Sequence, residues 1–89
     1  MDLKAVINGD KIECGKCGSL IGTYFGEHEE DGIEYDFIIR HSPYVTKSRK
    51  NDNSRVILKK VCTHEENREK CGNINTVEWS SEINGIASI

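Results

Sequence analysis

Four cysteines in two separated groups constrain this chain more than any other feature: Cys14-Gly-Lys-Cys17-Gly18 in the first half and Cys62 to Cys71-Gly72 in the second. In a chain of 89 residues much of the surface stays wet, and a small apolar core gains from a covalent or metal staple. The apolar fraction is 36%, with two Phe, three Tyr and one Trp, which is thin for a core that must stand alone. Residues 1–10 lack the apolar run of a signal peptide, and no segment approaches the roughly 18 apolar residues of a membrane span. We therefore expect a cytoplasmic protein with no membrane partner. Thiols stay reduced in that compartment, so the paired cysteines point to a structural metal rather than to disulfides.

The chain between the cysteines has the punctuation of an all-β fold. Leu3–Ile7 and Lys11–Glu13 flank Asn8-Gly9, a hairpin signal of the type I′ kind that delivers Cys14. Leu20–Phe25 reads as a strand, followed by an acidic turn over residues 26–32. In Ile33–Arg40, Ile33, Tyr35, Phe37 and Ile39 alternate with polar residues and define a core face, Ile38 being the exception. Ser42-Pro43 breaks that strand, and residues 46–54 contain no apolar side chain, so a mobile loop or open hairpin tip is expected there. Arg55–Val61 runs as a strand into Cys62, residues 63–70 read as a loop or one helical turn, and Ile74–Trp79 as a last strand. The expectation is an antiparallel sheet of four to six short strands with little or no helix. Residues 1–79 form a single domain and 80–89 a loose tail.

Zinc suits the cysteines, because thiolates at tight turns can set four soft ligands tetrahedrally around a d¹⁰ ion. The two residues between Cys14 and Cys17 let both sulfurs reach one ion, and Gly18 can adopt the positive φ that turns backbone amides toward sulfur. Cys14-Gly15-Lys16-Cys17-Gly18, followed by Leu20 and Ile21, resembles the first knuckle of the zinc ribbon family. Val61-Cys62 with Cys71-Gly72-Asn73-Ile74 looks like a second knuckle opened by six inserted residues. The resemblance covers most of the chain as architecture and about a dozen positions as motif. It implies Zn²⁺ held by Cys14, Cys17, Cys62 and Cys71, with His64 as the alternative to Cys62. More weakly, residues 62–72 resemble the cysteine segment of Com-type phage translational regulators, which are zinc-dependent RNA-binding proteins. This chain departs from them in its widened second pair and its long basic insertion, and RNA binding is not carried over.

No recognised arrangement supports catalysis. His28 and His64 lack the second histidine of a His-Glu-x-x-His helix, and Cys14-x-x-Cys17 has neither the preceding His-x-Glu nor the proline of a deaminase. Four thiolates would also fill the coordination shell, so neither an enzyme nor a small-molecule substrate is expected. Net charge is −3, yet Arg40, Lys47, Arg49, Lys50, Arg55, Lys59 and Lys60 fall in one span that contains a single acid, Asp52. These seven are candidate phosphate contacts, with Tyr44 beside them for base stacking. The expected function is a zinc-stabilised nucleic-acid-binding or transcription- or translation-associated accessory factor. The alternative is a protein–protein interaction module using the acidic stretch Glu27–Asp36 or a sheet edge.

Overall fold

Short β-prone runs separated by tight polar turns fold back on one another as antiparallel pairs. The computed structural model describes residues 2–89, among which there are eleven strands and no helix. β1 (Val6–Asn8), β2 (Lys11–Glu13), β3 (Leu20–Phe25), β4 (His28–Glu30), β5 (Ile33–His41) and β6 (Tyr44–Arg49) build a six-stranded sheet. β3 and β4 pair in succession along one edge of β5 and share one register, so they act as a single hairpin arm; β6 covers the other edge. β7 (Arg55–Val61) is followed by a miniature hairpin, β8 (Glu65–Glu66) and β9 (Glu69–Lys70), then by β10 (Ile74–Ser80) and β11 (Gly85–Ser88). β10 pairs with β7 on one side and β11 on the other, giving a second sheet. The all-β antiparallel expectation holds. The strand count exceeds four to six because several strands are only two or three residues long and others lie where no apolar run announces them.

The two sheets bury a common core. Phe37 of β5 meets Trp79 of β10 with ring centroids 5.1 Å apart, and Ile12, Ile21, Ile39 and Val77 pack around them. Trp79 therefore sits at the centre of the core. Cys14 and Cys62 belong to the same buried cluster, so the cysteine site and the core are continuous.

Four local expectations change. The first hairpin turns on Gly9-Asp10, because Asn8 pairs with Lys11; Gly9 alone of these has positive φ, as a glycine at the first loop position allows. The alternation assumed for β5 is interrupted between Tyr35 and Phe37, where the register with β6 shifts by a β-bulge. The bulge returns Tyr35 to the face of Lys47, whose ammonium lies 5.4 Å from its ring centroid. Phe37 and Ile39 remain inward, and Ile38 is fully buried outside the main core cluster rather than being a stray apolar residue. Part of the supposed loop over residues 46–54 is β6, paired along much of β5, with Ser48 buried opposite Phe37. An edge strand draws its stability from ladder hydrogen bonds and needs little apolar surface of its own. Lastly, the tail is not loose: β11 supplies the second neighbour of β10 and sets Ile86 opposite Trp79.

Candidate metal centre and basic groove

Each cysteine pair is set by the same backbone device. In the first knuckle the Cys14 N–H donates to Ser19 O at 2.8 Å and the Gly18 N–H to Cys14 O at 2.9 Å. In the second, the Cys62 N–H donates to Asn73 O at 2.9 Å and the Gly72 N–H to Cys62 O at 3.1 Å. Gly18 and Gly72 take matching positive φ values of 77° and 65°. The correspondence extends to sulfur: amides of Lys16 and His64 point at Cys14 and Cys62, and those of Ser19 and Asn73 at Cys17 and Cys71.

The extra residues of the second knuckle leave this device intact. Val61 faces Ile74, the Cys71 N–H donates to His64 O at 2.8 Å, and Glu65 faces Lys70, so the β7–β10 register runs straight through the knuckle into β8 and β9. The hairpin ends on Asn67-Arg68, both at positive φ. The insertion is therefore extruded as an ordered hairpin, in place of the loop or helical turn expected.

Four unbridged sulfurs meet at this point, all within 4.8 Å of one another. Two contacts cross between knuckles, Cys14 to Cys71 at 3.6 Å and Cys17 to Cys62 at 3.5 Å. His64 lies outside the group; it is exposed and contributes its backbone. This all-sulfur set can hold a soft cation. Without one, the thiols would ionise unequally. Burial opposes ionisation of Cys14, but the amides of Cys17 and Lys16 with the Asn75 and Cys71 side chains outweigh it and bring it to about 6. Burial pushes Cys62 up to about 12.

Two buried asparagines complete the centre. Asn75 Oδ1 accepts from the Gly15 N–H at 3.0 Å and from Asn73 Nδ2 at 2.9 Å, while Asn75 Nδ2 donates to Lys60 O at 3.2 Å. Asn73 binds both backbone groups of Leu3, at 2.8 and 3.0 Å, and so ties the first segment to β10. This segment leaves no room beyond glycine at position 15, where a Cβ would stand 1.8 Å from Lys4 O. The cysteine motif by itself announces neither asparagine. Their signal is a polar residue on the inward face of a strand whose next inward positions are Val77 and Trp79.

The seven basic residues do not form one surface. Arg40 and Lys47 both pair with Glu30, the latter at 2.7 Å, and Arg55 pairs with Glu78. Arg49 and Lys50 lie among Glu29, Glu34 and Asp52 at the far end of the first sheet. Lys59 and Lys60 instead line a groove of about 410 Å³ between β7 and the first sheet, beside the second knuckle. His41, Tyr44 and His64 share it, no carboxylate lines it, and neither lysine forms an ion pair among the described residues. Partial burial holds the Lys60 ammonium below its ordinary pKa.

No helix among the described residues is long and apolar enough to cross a membrane. No protein-family model, curated protein or solved structure matches this chain.

Proposed function

We propose that this chain is a zinc-stabilised binding protein of zinc-ribbon type, acting as a nucleic-acid-binding accessory factor, with Cys14, Cys17, Cys62 and Cys71 as the zinc ligands. A tetrahedral ion with zinc–sulfur bonds of about 2.3 Å separates its ligand sulfurs by about 3.8 Å, close to the cross-knuckle contacts of 3.5 and 3.6 Å. Four thiolates leave no open position for water, so the metal's role is to join the two knuckles and supply folding energy. The observation that carries the nucleic-acid assignment is the groove. On a chain of net charge −3 it gathers two unpaired lysines and two histidines with no acid among its lining residues, an arrangement suited to phosphate.

Metal analysis of the purified protein tests the first half. One zinc per chain is expected, retained by His64→Ala and lost or weakly held by Cys62→Ser. Binding of a labelled nucleic acid that falls steeply with salt tests the second.

A protein-interaction role is favoured by the outer face of the second sheet, which meets the groove at Val61. There Ile57, Val61 and Ile74 are 49%, 57% and 39% exposed, and Val61 and Ile74 are cross-strand partners. Capture of one protein partner that survives nuclease treatment and is lost in Ile57→Lys, outside the groove, would favour this role.

A further inference from the structure

We infer that the groove beside the second knuckle takes a single-stranded nucleic-acid segment, with one base stacked on Tyr44 and the adjoining backbone phosphates on Lys59 and Lys60. This rests on the nucleic-acid assignment above and narrows it to one form of nucleic acid and one site.

The stacking surface is already presented. Tyr44 is 71% exposed, the most exposed large apolar side chain among the described residues, at the Ser42-Pro43 turn that joins β5 to β6. An aromatic ring in that position costs hydration with no core contact in return, and it offers a π-face beside a row of cations. In a duplex the bases are stacked inside and cannot use such a ring; a single strand can turn one out. At about 410 Å³ the groove lies in the range of pockets that accept small ligands, the scale of individual nucleotides.

The cations point the same way. Lys60 is directed inward, opposite Asn75 on β10, while its neighbour Lys59 faces outward opposite Thr76, so successive residues of one strand reach both the groove and its rim. Neither is neutralised by a carboxylate, whereas Arg40, Lys47 and Arg55 are. His41 lies across from them, next to Tyr44 in the β5–β6 ladder. An acidic peptide would satisfy the lysines but would leave the exposed ring without a planar partner, which favours nucleic acid.

The test uses the zinc-loaded full chain and a fluorescent mixed-sequence oligonucleotide of about ten residues, within the site sizes typical of single-strand binders, as DNA and as RNA. The same sequence in a blunt duplex and a polyglutamate peptide serve as competitors. The expected result is anisotropy-detected binding of the single strand with at least about tenfold preference over duplex, reduced about tenfold by Tyr44→Ala. Lys59→Gln with Lys60→Gln should lower the salt slope by about 0.7 for each lost phosphate contact, while Arg49→Gln with Lys50→Gln changes nothing. Zinc content and circular dichroism of each variant separate lost contacts from lost folding; if Lys60→Gln fails to fold, Lys59→Gln and Tyr44→Ala alone decide. Equal binding of duplex, or no effect of Tyr44→Ala, overturns the single-strand inference while the nucleic-acid assignment stands. No binding of either form at low salt, or equal displacement by polyglutamate, overturns both.

Discussion

Asn75 holds together parts of the chain that the cysteine cluster alone does not join. Its buried amide spans the Gly15 N–H of the first knuckle, the buried Asn73, and Lys60 O on β7. Asn75→Leu would leave those groups without their partner, and we expect it to cost about 2 kcal/mol in denaturant titrations with zinc in excess. Zinc affinity, read by competition with a chelating dye, should fall about tenfold or more, since Asn75 also supports the Cys14 sulfur. The glycines of the first knuckle should separate by mechanism. Gly18→Ala meets open space and pays only for positive φ, about 1 kcal/mol, whereas Gly15→Ala drives a methyl into Lys4 O and should cost about 3 kcal/mol. Glu30 offers a pH signature. Its hydrogen bond from Lys47, with Arg40 nearby, lowers its pKa, so its contribution is present above the ordinary carboxylate pKa and lost as pH falls through the lowered folded value. Glu30→Gln should therefore lower stability at neutral pH and narrow the gap to wild type on acidification, measured by denaturant titration along a pH series.

The hairpin formed by β8 and β9 is separable from the knuckle that bears it. All four strand residues are exposed, and the β7–β10 register that leads into the cysteines does not involve them. Deleting residues 65–70 leaves Cys62-Thr63-His64-Cys71-Gly72, with the spacing of the first knuckle. We expect this variant to fold and to bind one zinc per chain, as read by native mass spectrometry and a cooperative melt; failure to bind metal would show that the hairpin is needed to form the site. At this scale legibility was uneven. The Cys-x-x-Cys-Gly knuckle and the strands β3, β5, β7 and β10 could be read because local spacing or apolar runs encode them. β6 and β11 could not, since an edge strand is held by a neighbour's backbone and places few apolar residues of its own. The bulge at Tyr35 and Phe37 was hidden for a related reason: a register shift belongs to the pair of strands, and period-two alternation in one of them carries no record of it.

Across the whole molecule the cysteine cluster and the hydrophobic core are one structure, because Cys14 and Cys62 lie in the cluster built around Trp79 and Phe37. On the proposed zinc ligation, removing the ion would leave four thiols crowded at the junction of the two sheets, where they cannot all ionise. Strong chelation should therefore convert the folded protein to a state that melts broadly or not at all, with recovery on adding zinc. Zinc affinity should weaken as pH falls, because protons compete for the sulfurs that the metal requires as thiolates. From its sequence alone, this protein is recognisable as a small all-β chain with four cysteines placed to hold a metal ion, because ligand type, knuckle spacing and tight turns are local properties. Only the tertiary structure brought the second knuckle into register despite its insertion and sealed the centre with Asn73 and Asn75. It also sorted seven basic residues into three paired with acids, two set among acids and two left unpaired in a groove. Those outcomes depend on which distant strands lie side by side, and a charge finds its partner, or is left without one, only after the sheets have packed.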